Sequence, residues 1–353
     1  MKNKIYFGTN LKMYKGNKDV VHYLSRLGDL YKRDIKTDNV ELFVIPSYTT
    51  LSDATSLINN KFNNLIVIGA QNMCYADSGQ FTGEISPLML KELDIKLVMI
   101  GHSERRHIFK ETDEEENKKV LSALKHKFIT LLCVGETLEQ KEYGISDEIL
   151  RTQLKIGLSG VTKEQLPLVR IAYEPVWAIG EKGIPASAEY ADEKQSIIKQ
   201  CLYEMFNKEG LDIPVLYGGS VNPENANKLI NKKYIDGLFI GRSAWDAENF
   251  IELIKNALES LSLNIESNEY NEIATKLIEY LGGKKNIVAL THCATRIRVV
   301  LNNPEEINKN QIEKLDLVKG LFSIANQYQI ILGKEVVDIV HQKMQKQLWY
   351  EIG

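Results

Sequence analysis

Four side chains of different chemistry stand at the ends of apolar, β-branched runs in the first half of the chain. Asn10 and Lys12 end the run KIYFGTNLK, His102 follows KLVMIG, and Glu174 follows VRIAY. A carboxylate held beside a carbonyl compound removes a proton from the adjacent carbon atom. An imidazole and an ammonium group stabilise the enediolate oxygen that then develops. Together these residue types indicate proton transfer next to a carbonyl group.

Glycine-rich turns follow two later apolar runs. Gly219 and Ser220 come after PVLYG, and Gly241 comes after IDGLFI. Free backbone N–H groups in such turns bind phosphate, which in α/β barrels commonly lies after strands seven and eight. The combination favours a phosphorylated sugar as substrate. The sequence contains no metal-ligand cluster and no nicotinamide-binding GxGxxG, so no metal and no cofactor is predicted.

Taken one at a time, most of these residues also have a structural explanation. Glu174 precedes Pro175 and could cap a loop, and Lys12 could be a solvated surface lysine. Glu104 and Arg105, which follow His102, are expected to form a structural ion pair. The functional reading is preferred because the residues recur at successive strand ends, which one barrel brings to a single mouth.

Eight short apolar runs, each followed by an amphipathic stretch, are the elements that must position these residues. The runs are KIYFGTN, VELFVIP, NLIVIGAQN, KLVMIGHSE, ITLLCVGE, VRIAYEP, PVLYGGS and IDGLFIGRS. Continuous apolar runs are typical of buried parallel strands. Eight strand–helix units in about 250 residues predict an α/β fold of the (β/α)8 barrel type. A doubly wound open sheet is the alternative, but no GxGxxG follows an early strand.

The pattern changes after the barrel, where a second set of helices and strands begins. We predict the barrel over residues 1–258, a polar linker over 259–268, a smaller α+β domain over 269–346 and a tail over 347–353. The Gly-Gly pair after LIEYL is a strong helix stop. About 80 residues are enough for the second domain to bury a core of its own.

Composition fits a cytoplasmic protein that does not bind nucleic acid. The formal net charge is -3, and basic and acidic residues are mixed along the chain, so no nucleic-acid surface is expected. The four cysteines lie far apart without a CxxC pair, which argues against disulfides or a thiolate zinc site and for a reducing cytosol. No signal peptide or membrane span is expected, because no apolar run has the required length.

The first 258 residues resemble triosephosphate isomerase over a series of specific motifs. These are NLKM, GAQN, SGQFTGE, GHSERRH, CVGET, AYEPVWAIG and YGGSV, with Leu11 where the family motif has tryptophan. The resemblance implies that Glu174 is the base that moves the proton and that His102 polarises the carbonyl. It implies that Lys12 binds the substrate electrostatically and that Asn10 positions it. The implied reaction interconverts glyceraldehyde 3-phosphate and dihydroxyacetone phosphate in glycolysis and gluconeogenesis.

The same resemblance implies further roles around the site. The lid that excludes water would span residues 175–183, Cys133 and Glu104 would support the site, and Thr82 would reach the site of a neighbouring subunit in a homodimer. Phosphate-binding N–H groups would come from Gly180, Gly219, Ser220 and Gly241.

Departures from the family pattern leave the substrate open between three and four carbon atoms. The lid region reads AIGEKGIPA, which introduces Glu181 and Pro185, while Arg242 follows Gly241 and Phe239 stands where a leucine usually packs over the carboxylate. GIPASAEYAD, GLFIGRSAW and GAQNM resemble the branch that isomerises erythrulose phosphates. A sugar-phosphate sensor with reduced turnover is an alternative of another class.

The C-terminal domain resembles a phosphotransferase-system IIB domain of the glucose, sucrose and β-glucoside type. LGGKKNIVALTHCATRIRVVL and ANQYQIILGKEVVDIV carry the match. The resemblance implies that Cys293 accepts a phosphoryl group from a phosphohistidine IIA carrier and passes it to a sugar in a membrane IIC partner. Arg296 and Arg298 would favour the reactive thiolate, and His292 is expected to be structural. A third hypothesis is that the protein acts mainly as this phosphoryl carrier.

Overall fold

The chain forms two compact units, Met1–Leu261 and Ser262–Gly353. A computed structural model describes residues 4–35, 37, 39–180, 183–324, 327–334 and 336–349, without the side chains of 263–268.

Eight parallel strands of the first unit close into a barrel in sequence order, which confirms the predicted fold. The last strand pairs with the first, where Tyr6 lies opposite Gly237. The strands are β1 Ile5–Asn10, β2 Val40–Ile45, β3 Val67–Ala70, β4 Leu97–Ile100, β5 Ile129–Val134, β6 Val169–Tyr173, β7 Val215–Tyr217 and β8 Gly237–Ile240. Each one coincides with a predicted apolar run, because a strand covered on both faces needs apolar residues on both.

Helices cover the outside of this barrel. They are α1 Asn17–Asp34, α2 Leu51–Phe62, α3 Pro87–Glu92, α4 Ser103–His107, α5 Asp113–Lys125, α6 Leu138–Glu142, α7 Ser146–Gly157, α8 Ala188–Phe206, α9 Lys208–Leu211, α10 Pro223–Ile230 and the first part of α11 Ala247–Tyr280, which continues into the second unit after Leu261. Side chains fill the barrel interior, with Phe43, Leu97, Leu131 and Phe239 among them. The mouth at the C-terminal ends of the strands is therefore the open end of a packed core, as is usual for this fold.

The second unit contains a four-stranded antiparallel sheet with the order β11-β12-β10-β9. Its elements are β9 Ile287–Cys293, β10 Arg296–Leu301, α12 Lys309–Glu313, β11 Gly320–Ile324, β12 Gln327–Ile331 and α13 Val337–Trp349. A separate apolar core includes Leu277, Ile297, Ile330 and Val340. This agrees with the predicted smaller α+β domain.

Residues 259–268, predicted as a polar linker, lie inside α11, and residues 347–349 of the predicted tail belong to α13. The division between the units falls after Leu261. Over the described ranges, no helix is long and apolar enough to cross a membrane.

Candidate active site

The loop after β1 carries Lys12 in an unusual backbone conformation. Its φ is +50°, in the left-handed region that lysine seldom adopts. The side-chain oxygen of Asn10 accepts the N–H of Lys12 at 2.9 Å. Gln71, in the turn after β3, donates to the same oxygen at 3.2 Å and to the carbonyl of Lys12 at 2.8 Å. The loop is therefore fixed by side chains rather than by regular structure.

The ammonium group of Lys12 lies across the mouth from β1, against the residues that follow β4. Its Nζ is 2.6 Å from Oε1 of Glu104. Arg105 instead binds Glu111, with Nε 2.9 Å from Oε1. The expected ion pair between Glu104 and Arg105 is therefore wrong. The two side chains leave their short helix in different directions, and each meets a partner from another part of the barrel.

His102 is a buried residue at the end of β4 and caps the N-terminus of α4. Its Nδ1 accepts the backbone N–H of Glu104 at 3.2 Å. In a neutral ring the proton must therefore be on Nε2. That nitrogen is 3.6 Å from Oε1 of Glu174. The neutral ring thus presents an N–H donor toward the carboxylate.

Glu174 lies at the end of β6 and is 3% exposed. Its Oε2 accepts the backbone N–H of Ser103 at 3.5 Å. A Cβ added at Gly218 would lie 2.8 Å from Cγ of Glu174 and 3.4 Å from Cδ1 of Phe239. Phe239 stacks on Phe43 with ring centroids 5.6 Å apart. The carboxylate is thus held between the turn after β7 and the aromatic layer of the barrel interior.

Cys133, at the end of β5, lies beside this carboxylate. Burial, reinforced by the charge of Glu174, raises the pKa of the Cys133 thiol. The sulfur therefore stays protonated and uncharged next to the carboxylate.

The glycine-rich turns after β7 and β8 are linked to each other and to the region after β6. Ser220 donates through Oγ to the carbonyl of Ala178 at 2.8 Å. Ser243 donates to the carbonyl of Val221 at 3.0 Å. A Cβ added at Gly241 or at Gly180 would meet no atom within 4 Å. Open space thus borders these predicted phosphate-binding residues, whereas a Cβ at Gly219 would meet the Tyr217 hydroxyl oxygen at 2.3 Å.

A buried carboxylate anchors the start of the predicted lid. Glu136 is fully buried and accepts hydrogen bonds from Trp177 Nε1 at 3.0 Å, Tyr190 OH at 2.9 Å and Tyr173 OH at 3.1 Å. The ammonium of Lys141 lies 3.5 Å from the centroid of the Trp177 ring.

The sequence also singles out Glu181, Pro185, Arg242 and Thr82. Glu181 lies outside the described residues, so its predicted position near the phosphate has no structural counterpart here. Pro185 and Arg242 are exposed. Thr82 lies on an exposed loop between β3 and α3.

Cys293 occupies a separate site at the end of β9, where a two-residue turn leads into β10. Arg296 lies directly opposite Cys293 in the hairpin, and Arg298 lies opposite Thr291 on the same face. The backbone N–H of Thr295, followed by that of Arg296 and the charges of the two arginines, lowers the pKa of the Cys293 thiol. The sulfur is only partly buried.

His292 faces the other side of the sheet, because side chains alternate along a strand. Its Nδ1 is 3.1 Å from Oδ1 of Asp338, and its ring centroid is 4.2 Å from that of His341. His292 thus packs toward α13, away from the Cys293 thiol.

The structure brings Asn10, Lys12, His102 and Glu174 together at one mouth, with the glycine turns beside them. Gln71 and Trp245, which contact Asn10, have no role predicted from the sequence, although both lie in motifs that carry the resemblance. Over the described ranges, no group of three or more His, Cys, Asp or Glu residues could hold a metal ion. What the mouth offers is one buried carboxylate, one imidazole N–H, one ammonium and open space at the glycine turns.

Comparisons with known proteins agree with this geometry. The triosephosphate isomerase family model matches residues 5–257, and the model for phosphotransferase system EIIB matches residues 275–308. The chain is 44% identical to L-erythrulose-1-phosphate isomerase of Rhizobium etli over 253 residues, covering 71% of this chain and 91% of that protein. It is 41% identical to the Brucella abortus protein of the same name over 263 residues, covering 74% and 99%. A crystal structure of triosephosphate isomerase from Bartonella henselae aligns with a TM-score of 0.63 and 32% identity, covering 71% of this chain and 98% of that one.

Proposed function

Because the chain belongs to the triosephosphate isomerase family, we propose that its barrel isomerises L-erythrulose 1-phosphate through an enediolate. The chain is an isomerase related to proteins that carry the name L-erythrulose-1-phosphate isomerase. The enediolate chemistry is supported by the 3.6 Å approach of a buried carboxylate, Glu174, to an imidazole nitrogen of His102. The choice of the tetrulose is supported by the 41–44% identity to those relatives. A substrate carbon placed beside this pair meets a base and a hydrogen-bond donor together.

In the proposed reaction, Glu174 removes a proton from the hydroxyl-bearing carbon next to the carbonyl. The electron pair of the broken C–H bond forms the enediolate double bond, and the carbonyl oxygen gains the negative charge. The Nε2–H of His102 and the ammonium of Lys12 stabilise that oxygen. Glu174 then returns the proton to the neighbouring carbon, and the hydroxyl proton moves between the two oxygens through His102. The carbonyl ends one carbon away, and no atom is gained or lost.

Lys12 and the glycine turns supply the proposed binding of the phosphate group. The ion pair between Lys12 and Glu104 holds the ammonium group at the mouth. Backbone N–H groups of Gly180, Gly219, Ser220 and Gly241 would donate to the phosphate, and the open space beside Gly180 and Gly241 supports this. Residues 175–183, of which 181 and 182 lie outside the described residues, would close over it and exclude water.

Triosephosphate interconversion, the first expectation from the sequence, is the second candidate reaction. Both substrates need the same base and donor, so the catalytic residues do not separate them. The experiment is to measure kcat/KM on L-erythrulose 1-phosphate and on glyceraldehyde 3-phosphate side by side. The proposal expects a preference for the tetrulose of roughly tenfold or more. A preference for the triose would make this chain a triosephosphate isomerase.

The matched control for chemistry is Glu174→Gln, which keeps the shape of the side chain and removes the base. We expect kcat to fall by about 10²- to 10⁴-fold. Unchanged turnover in this variant would refute Glu174 as the base. A wild-type protein that binds both sugar phosphates and turns over neither would favour the sensor alternative.

Phe239 is the proposed determinant of substrate size. It is buried next to Glu174, so its ring limits the space above the carboxylate. Phe239→Leu should change the ratio of kcat/KM between the two substrates, with a loss of stability of about 1–2 kcal/mol from the removed stacking and volume. An equal fall on both substrates would assign Phe239 to packing alone.

A homodimer is part of the proposal, because apolar side chains project from the loops around the mouth. Met13 is 94% exposed, Ile108 66% and Phe109 62%, and Phe81 beside Thr82 is also exposed. Apolar side chains clustered on a protein surface are typical of a protein–protein interface. Phe81→Asp should give a monomer in analytical ultracentrifugation and lower activity. The control is Phe322→Asp, which places the same charge on an exposed phenylalanine of the other unit and should leave the dimer intact.

For the C-terminal domain we propose phosphoryl transfer through Cys293. The thiolate would attack the phosphorus of a phosphohistidine on a IIA carrier, so that the P–N bond breaks and an S–P bond forms. A sugar hydroxyl bound by a membrane IIC partner would then take the phosphoryl group and release the thiolate. The lowered pKa of Cys293 and the two arginines on its face support this role.

The test uses a phosphorylated IIA protein as donor and mass spectrometry of the full chain. Cys293→Ser should abolish transfer, whereas the buried Cys201→Ser should not. Equal phosphorylation of the Cys293→Ser variant would reject the assignment. All four cysteines are unpaired, which supports a reducing compartment, so a cytoplasmic location is also part of the proposal.

A further inference from the structure

We propose that Trp245 is a positioning residue that holds the Lys12 loop in the geometry needed to bind phosphate. The inference rests on the proposed function, because the position of Lys12 matters only if the barrel binds a sugar phosphate. Trp245 directly follows the short 3₁₀ turn Arg242–Ala244 after β8. Since β8 pairs with β1, the end of the barrel sequence comes to lie beside its beginning.

The contact is a single directed hydrogen bond to the backbone. Nε1 of Trp245 donates to the carbonyl oxygen of Asn10 at 2.9 Å. The side chain of the same asparagine accepts the N–H of Lys12. Trp245 therefore fixes the residue that in turn fixes the backbone of Lys12.

Lys12 needs such support because its backbone is strained. A non-glycine residue with φ of +50° persists only where its surroundings hold it there. Gln71 holds the loop from the β3 side, and Trp245 holds it from the β8 side. Without the indole N–H, the carbonyl of Asn10 loses its partner on that side, and the loop is free to relax away from the strained conformation.

Trp245 is itself well anchored. Its ring is partly buried against the main core and packs on Tyr14, with ring centroids 4.6 Å apart. The hydroxyl of Tyr23 donates to the carbonyl of Ala244 at 2.6 Å, in a buried position, and so fixes the turn that precedes Trp245. A support of this kind is effective because its own position is determined by packing.

The test is a double-mutant cycle on ligand affinity, measured by calorimetry on the full chain. The probe is sn-glycerol 3-phosphate, which has the phosphate but no carbonyl and therefore does not react. Trp245→Phe keeps an aromatic ring and removes the donor, and it should weaken binding about tenfold. Lys12→Met removes the ammonium directly. In the Lys12→Met background, Trp245→Phe should have no further effect, because residues that act through one another are not additive.

If Trp245→Phe weakened the binding of sn-glycerol 3-phosphate equally in the wild-type and Lys12→Met backgrounds, the proposal would be overturned. Trp245 would then be a purely structural residue. Wild-type affinity in Trp245→Phe would overturn the proposal as well. Trp349→Phe, in the other unit, is the matched control and should bind like the wild type. If the phenylalanine variant does not fold, Trp245→Leu, which also lacks a donor, takes its place in the cycle. The cycle needs no turnover, so it decides on Trp245 even if the proposed isomerase activity fails.

Discussion

Gly218→Ala should slow the isomerase while leaving the barrel folded. The glycine lies in the turn after β7, and a Cβ there would be 2.8 Å from Cγ of Glu174. Carbon atoms pack about 3.5 Å apart, so the Glu174 side chain must retreat by about 0.7 Å. The nearest atom belongs to a side chain rather than to the backbone, and the fold should therefore absorb the change by moving the carboxylate.

The magnitude follows from that displacement. A misplacement of about 1 Å costs a catalytic group up to roughly 10²-fold in rate. A shift of about 0.7 Å should therefore lower kcat by about 10- to 100-fold, which corresponds to about 1.4–2.7 kcal/mol of transition-state stabilisation. KM should change less, because phosphate binding does not involve Glu174.

The assay is steady-state kinetics on the better of the two sugar phosphates, together with thermal unfolding followed by circular dichroism. Gly320→Ala is the control, because a Cβ there meets only ordinary contacts, the nearest at 3.5 Å. It should leave both kcat and Tm unchanged. If Gly218→Ala kept its full kcat with an unchanged Tm, the position of the Glu174 carboxylate would not limit the reaction, and the reasoning would fail.

Three further predictions concern Ser220, Cys293 and His341. Ser220→Ala removes the hydroxyl that donates a hydrogen bond to the carbonyl of Ala178. KM should therefore rise about five- to tenfold with little change in Tm. An unchanged KM would count against a phosphate site at this turn. Iodoacetamide at pH 7 should alkylate Cys293 faster than Cys133, and mass spectrometry would measure the two rates. Neighbouring N–H groups lower the pKa of Cys293, whereas burial raises the pKa of Cys133. Equal labelling of the two cysteines would contradict this prediction. Burial lowers the pKa of His341, so the native state binds a proton there less readily than the unfolded chain, and stability should fall as pH drops below about 6.5. His341→Gln should flatten the dependence of Tm on pH below about 6.5, and an unaltered slope would reject the assignment.

The strands could be predicted because each of them is buried on both faces. A continuous run such as ITLLCV has few alternatives in a soluble chain, and its polar or glycine ending places the next residue at the mouth. The positions of His102 and Glu174 followed from this pattern alone. Their 3.6 Å separation could not, because it depends on the register and tilt of strands far apart in sequence.

Pairings between loops were harder to predict. Glu104 precedes Arg105, and adjacency suggested an ion pair, but the side chain of Glu104 meets Lys12 from β1. Trp245 carried no chemical signal in the sequence, since an indole at that position is equally compatible with core packing. Its role depends on barrel closure, which places residues 10 and 245 side by side.

The boundary between the units shows another limit. The segment LSLNIESN has little hydrophobic periodicity and was therefore predicted as a connector. It contains neither glycine nor proline, the two residues that disfavour a helix most strongly, and α11 continues through it. Weak amphipathicity indicates that a segment buries little surface, but it does not indicate that the helix has ended.

The contact between Trp177 and Glu136 has an optical consequence. The chain has three tryptophans, and two of the variants described above, the test variant Trp245→Phe and the control Trp349→Phe, each replace one of the other two. A protein that carries both Trp245→Phe and Trp349→Phe would keep a single indole, placed between a buried carboxylate and the ammonium of Lys141. Its emission would depend on those two charges, so the fluorescence of this variant would report on the surroundings of Trp177 without an added dye.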